Sequence, residues 1–189
     1  MAAADELHLT VHGKGGHAAL PHLCRDAVLA ASAIVVAAQQ LVARRSKPTE
    51  PVVCSFGFVE ALGATNVLPN EVHLKGTFRS LDPAVRADLH EALTTLIQDT
   101  ASAHGCKAEL EIRHGYPSVR NDENLAHSFR EVAEAYLGKE RVHSLDIRMT
   151  GEDFSYFSNE IPGCFYRLGT ASPEEGNPLG TKGLHTPVF

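Results

Sequence analysis

The residues best placed for chemistry fall in four stretches. The first is "GKGGHAALPH", Gly13 to His22, where three glycines and two histidines share one loop. Glycine lets a backbone take positive φ or approach a ligand closely. His17 stands at the tip beside small Ala18 and Ala19, which cannot bury its ring. An imidazole held there can donate a hydrogen bond to a developing oxyanion. A tight turn with two surface histidines fits the same letters. The second stretch runs from Asn66 to Arg79. Arg79 falls on the polar phase of an alternating run, where its fork of N–H groups can hold a carboxylate, and Asn66 lies in the loop feeding that run. A solvated Arg and a turn Asn remain the plain alternative. The third is "MTGEDFSYF", in which Glu152 and Asp153 follow Gly151 at a helix start. Acidic residues there also serve simply as dipole partners. The fourth is His185 in "GLHTP". One histidine is a weak metal signal, because zinc sites need three or four ligands.

These residues need a frame. "ELHLTVH" alternates, with Leu7, Leu9 and Val11 on one side and His8, Thr10 and His12 on the other, which predicts a half-buried strand. "RDAVLAASAIVVAAQQLVARR" is Ala-rich, free of Gly and Pro, and predicts a helix ending in Arg44 and Arg45. "PVVCSFGFVE" is β-branched and aromatic and predicts a second strand. "EVHLKGTFR" alternates again. Asp82 and Pro83 then read as an N-cap and first turn, Val85, Leu89, Leu93, Leu96 and Ile97 follow at helical spacing, and Gly105 ends the helix. "KAELEIR" is a fourth strand. The order is β-α-β-β-α-β. It predicts an α+β fold in which residues 5–114 form a ferredoxin-like sandwich of a four-stranded antiparallel sheet and two helices. "EVHLKGTFR", or the helix after it, is expected at an exposed sheet edge where a second copy can pair.

Beyond Gly115 the pattern changes. A helix is expected with Leu125, Phe129, Val132, Ala133, Tyr136 and Leu137 on one side. "HSLDIRM" and "GCFYRLG" read as strands, and "TGEDFSYFSNE" as a glycine turn into a short helix. Residues 115–189 are thin for an independent core and read as an incomplete piece of a larger α/β domain.

Composition narrows the partners. A net charge of −6 over 189 residues argues against nucleic acid or an anionic membrane, since both favour a basic face. RNA-recognition domains share the sandwich topology, but "EVHLKGTFR" offers a single aromatic. The opening "MAAADELH" has no signal-peptide character, and no apolar run is read as reaching the roughly 18–20 residues that span a bilayer. The four cysteines, Cys24, Cys54, Cys106 and Cys164, are far apart and without a CxxC pair. They read as reduced thiols in a cytoplasmic protein.

Taken in order, "GKGGHAALPH", "GATNVLPNEVHLKGTFRSLD", "GYPSVRND", "GEDFSYF", "PGCFYRLGT" and "LHTPVF" resemble one family along essentially the whole chain. It is the di-metal amidohydrolase and peptidase family of aminoacylases, hippurate hydrolases and indole-acetyl-amino-acid hydrolases. The resemblance implies a lid and dimerisation domain followed by the C-terminal piece of an α/β metallopeptidase catalytic domain. It implies two divalent ions, zinc or manganese, in the complete enzyme, and a homodimer formed through the lid. It implies that His17 reaches a partner subunit's active site and stabilises the tetrahedral oxyanion. Asn66 and Arg79 would grip the substrate, Arg79 through a carboxylate, Gly151 and Glu152 would line its pocket, and His185 would be the last metal ligand. The implied reaction is hydrolysis of the amide of an N-acyl amino acid, in which metals activate a water and a glutamate moves the proton.

The chain departs from the family in one respect. It has no "HxCGHD"-like run and no Glu-Glu pair before the lid, the pair Glu174–Glu175 falling in a late loop. At most a partial metal site is expected, and the chain alone is expected to lack amidase activity. A stand-alone dimerisation or small-molecule-binding module without catalysis is the alternative reading.

Overall fold

The structure is a computed structural model and describes residues 1–169. Ten elements follow in chain order: β1 (Ala3–His12), β2 (Gly16–His17), α1 (Ala27–Gln40), β3 (Val52–Glu60), β4 (Val67–Leu68), β5 (Glu71–Ser80), α2 (Pro83–Ala103), β6 (Lys107–Arg113), α3 (Glu123–Leu137) and α4 (Ser155–Ser158). The four long strands form one antiparallel sheet in the order β3-β5-β1-β6. That is the strand order of the split β-α-β sandwich. β2 and β4 form a separate two-stranded ribbon.

The period-2 pattern decides which face is covered. Leu7, Leu9, Val11, Val72, Leu74 and Phe78 are buried against Ala27, Ala30, Ala31, Ile34 and Ala38 of α1 and Leu89, Leu93 and Ile97 of α2. The alanines let α1 lie close to the sheet. His8, Thr10, His12, His73 and Lys75 occupy the opposite, open face as expected. Both helices start on an Asp. Asp26 Oδ1 accepts from the amides of Val28 and Leu29 at 2.9 and 3.0 Å, and Asp82 Oδ1 from Ala84 and Val85 at 2.7 and 3.1 Å. An Asp82→Ala variant is expected to lose about 1 kcal/mol of unfolding free energy in urea melts. A loss indistinguishable from zero would mean that Pro83 alone starts α2.

Three readings need correction. β5 is a central strand flanked by β1 and β3, so "EVHLKGTFR" is not an edge; the edges are β3 and β6. Residues 143–149 and 163–169 are not strands. A strand needs a neighbour to take its backbone groups, and among the described residues neither segment has one. Phe165 instead receives a side-chain substitute: its N–H donates to Asn121 Oδ1 at 2.9 Å, and its carbonyl accepts from Asn121 Nδ2 at 3.0 Å. Ala27–Arg45, which is α1 with the π-turn Leu41–Arg45 that ends it, is long and apolar enough to cross a membrane by length and composition. Its Ala27, Ala30, Ala31, Ile34, Ala38 and Leu41 face is buried on the sheet, which accounts for that character. The expected helix is present as α3, though no residue of it is buried: Val132 and Tyr136 are 67% and 87% exposed, and Phe129 stacks on Tyr166 with ring centroids 4.5 Å apart.

Candidate functional site

The glycine loop is held by backbone contacts. Lys14 and Arg25 exchange two N–H···O bonds of 2.8 Å, and the Gly15 amide donates to Asn70 Oδ1 at 3.0 Å. A Cβ at Gly15 would lie 2.4 Å from the Leu68 carbonyl oxygen, so only glycine allows the two segments to run this close. The ribbon that follows pairs His17 with Val67, and the Ala18 amide donates to the Asn66 carbonyl at 2.9 Å. His17 and Asn66 are therefore neighbours, and both are exposed. His17 Nδ1 accepts from the Ala19 amide at 3.1 Å. A backbone N–H can only donate, so in the neutral ring the proton sits on Nε2. The exposed end of His17 is then a hydrogen-bond donor, as an oxyanion requires.

Arg79 lies elsewhere. It sits on β5 between Ala4 of β1 and Val53 of β3, half-buried, with Nε donating to Thr77 Oγ1 at 2.8 Å. Arg45, Arg86, Arg113 and Arg130 each pair with a carboxylate. Among the described residues Arg79 has no such partner. The loop carrying Gly151 closes over it, anchored where the Ala2 amide donates to the Thr150 carbonyl at 3.0 Å and the Ala4 amide to the Tyr116 carbonyl at 2.9 Å. A Cβ at Gly151 would lie 2.9 Å from Ala4 Cβ and 3.2 Å from both Arg79 Nη1 and Tyr116 Cδ2. Glycine there leaves room for the guanidinium. Glu152 Oε1 accepts from the Phe154 amide at 3.4 Å ahead of α4.

The six residues singled out in the sequence thus separate into two groups, with one left over. His17 and Asn66 lie at the Glu71 end of β5, and Arg79, Gly151 and Glu152 lie at its Ser80 end. Eight residues of strand, at about 3.3 Å each, put roughly 26 Å between Glu71 and Arg79. A single copy cannot bring both groups to one small ligand. His185 lies outside the described residues. A cleft of about 360 Å³ between Arg120–Asp122 and Ser158–Pro162 contains none of these side chains.

Sequence reading missed a buried ionic cluster. Asp5 is 2% exposed and accepts from Arg86 Nε at 2.8 Å, from Arg86 Nη2 and from the Gly115 amide at 3.0 Å; His90 Nε2 lies 3.1 Å away and His114 Nδ1 3.8 Å away. The signal was available: Asp5 is an acid on the inward phase of an otherwise apolar strand. Burial alone would raise its pKa. The close approach of His90, the hydrogen bonds from Arg86 and Gly115, and the Arg86 charge outweigh that and hold it well below the usual carboxylate range. Asp5, His90 and His114 could by type hold a metal ion, but Arg86 already occupies both carboxylate oxygens and places a fixed positive charge at the site. The cluster is an ion-pair hub. Among the described residues no donor set fits a two-metal centre, so no reaction step is derived through one.

Comparison with known proteins agrees with this frame. Residues 3–105 match the model of the peptidase dimerisation domain of M20 enzymes. The chain is 36% identical over 172 residues to an N-acetyldiaminopimelate deacetylase of Geobacillus sp. (strain WCH70), covering 91% of this chain and 46% of that protein. It is 34% identical over 176 residues to one of Enterococcus faecalis (strain ATCC 700802 / V583), covering 91% and 46%. The chain spans about half the length of these curated relatives. Among solved structures, the YXEP protein of Bacillus subtilis, described as a dinuclear metal-binding peptidase of the M20 family, superposes with a TM-score of 0.69 at 27% identity, over 87% of this chain and 40% of that one. An amidase of the hydantoinase/carbamoylase family from Burkholderia multivorans gives 0.68 at 26%, over 82% and 37%.

Proposed function

Because this chain belongs to the M20 peptidase dimerisation-domain family, we propose that it works as the lid, residues 5–114, and part of the catalytic domain, residues 115–189, of a metal-dependent amidohydrolase that cleaves N-acyl amino acids. The observation that carries this reading is Arg79: half-buried, without a carboxylate partner among the described residues, and roofed by a glycine. That is a receptor for the free carboxylate of an amino acid. Gly151 and Glu152 line the same end. His17 supplies the oxyanion donor, Asn66 grips the substrate beside it, and His185 is the last metal ligand. In the complete enzyme two divalent ions, zinc or manganese, accompany them.

Two copies reconcile the 26 Å gap. The free edge of β6 carries Lys107, Glu109, Glu111 and Arg113, whereas Glu60 is the one charged residue of β3. Charges guard an edge against pairing, so β3 is the edge open to a second copy. α1 lies on that side of the sheet, Gln39 Nε2 donating to the Cys54 carbonyl of β3 at 3.2 Å, and it leaves Val28, Leu29 and Val36 exposed. Antiparallel pairing of β3 with the partner's β3 reverses strand direction. The partner's His17 and the partner's Asn66 then come to the end of the sheet that holds Arg79. The four cysteines are free, three of them buried, which supports a reducing, cytoplasmic location.

Titration with sodium hippurate, followed by NMR of the Arg79 guanidinium, tests the substrate class. Hippurate should shift Arg79 and its uncharged glycinamide counterpart should not; equal responses, or none, refute the carboxylate role. The purified chain with zinc or manganese is expected to show no turnover of N-acetyl or N-benzoyl amino acids above a His185→Ala control. Turnover lost in that control would show the chain to be catalytically sufficient.

A further inference from the structure

Arg79 is held by a hydrogen-bond chain in which every proton has one possible place. Arg79 Nε lies 2.8 Å from Thr77 Oγ1, and Thr77 Oγ1 lies 3.1 Å from the Asp5 carbonyl oxygen. A guanidinium can only donate and a carbonyl can only accept. The Thr77 hydroxyl must therefore donate to the Asp5 carbonyl oxygen and turn its lone pair to Arg79. The acceptor at the far end is itself anchored, since the Asp5 side chain binds Arg86 and the Gly115 amide.

We infer that Thr77 is the positioning residue of the site: its hydroxyl pins Arg79 by Nε, so that Nη1 and Nη2 present a pre-aimed fork to a ligand carboxylate. This rests on the reading that Arg79 takes that carboxylate. An arginine side chain has several rotatable bonds, and a fixed Nε–H removes much of their freedom before the ligand arrives. Nε is the one guanidinium nitrogen that an end-on bidentate contact does not need. Thr77 is also a β-branched residue on a central strand, so valine can replace it in shape while removing the hydroxyl.

The test uses the whole chain, ¹⁵N-labelled, with the Arg79 Nε–H resonance assigned by its loss in Arg79→Lys. In Thr77→Val, solvent exchange of that proton should rise about ten-fold, the scale of one charge-assisted hydrogen bond. Thr77→Ser, which keeps the hydroxyl, should stay within about two-fold of the parent. Hippurate affinity should fall about ten-fold in Thr77→Val and return in Thr77→Ser. Unchanged Nε–H exchange in Thr77→Val overturns the inference, as does failure of Thr77→Ser to restore it. If hippurate leaves the parent chain unmoved, the carboxylate reading fails, and the exchange rates still decide whether Thr77 holds Arg79.

Discussion

Asp5→Ala is expected to lower the unfolding free energy by about 3–5 kcal/mol, among the largest losses a single side chain can cause here. Asp5 joins three parts of the molecule: β1 that carries it, Arg86 and His90 of α2, and the Gly115 amide where the chain leaves β6. Without the carboxylate, Arg86, whose side chain is 17% exposed, keeps its charge with no partner in place. The Asp5→Ala, Arg86→Met double variant should recover part of the loss, because it removes the stranded charge as well. The pH dependence has a definite sign. A carboxyl whose pKa is depressed on folding contributes stability that is fully present above its unfolded value, about 3.9, and is lost as pH falls from there toward the folded value. Parent and Asp5→Asn chains should therefore differ most in urea melts at neutral pH and converge in acid. A gap that stays constant from neutrality down to about pH 2 would contradict the hub.

Val36→Glu combined with Val59→Lys should convert a dimer into a monomer at micromolar concentration in sedimentation runs. Val36 on α1 is 73% exposed and Val59 on β3 is 60% exposed, so neither change should disturb the isolated fold. In an apolar contact between two identical copies the variant buries four charges, and at about 1.4 kcal/mol or more for each, association weakens about ten-thousand-fold or more. Glu111→Lys on the opposite edge strand serves as the control and should leave the dimer intact. A parent chain that stays monomeric refutes the β3 interface. A double variant that stays dimeric, or a control that dissociates, moves the interface elsewhere.

Much of the dimerisation domain was legible in the sequence because its signals are local. Alternation in "ELHLTVH" and "EVHLKGTFR" assigns faces, and in the folded chain Leu7, Leu9, Val11, Val72, Leu74 and Phe78 are the buried ones. Asp26 is a helix start of the type that Asp82 displays in the sequence, and it caps α1 in the same way. The edge strand was misassigned. Period 2 tells a residue which face it occupies and says nothing about which strand lies beside it; the strand order of the sandwich itself makes β5 central, not an edge. For the same reason "HSLDIRM" and "GCFYRLG" looked like strands. Their apolar residues are real, but a strand exists only with a partner, and none of the described residues provides one.

The candidate site divides along the same line. The residue types determine the chemistry available: an imidazole in a glycine loop, an arginine on a polar strand face, a glycine before an acid. Residue order also determines the sandwich that carries them. The tertiary structure alone decides that His17 and Arg79 stand at opposite ends of one strand, that the Ala19 amide selects the tautomer of His17, and that Thr77 and Gly151 shape the setting of Arg79. Each of these depends on groups brought together by strand pairing or by loop closure. Distances across a sheet are set by which segments pair, and that information is spread along the chain rather than held at any one residue.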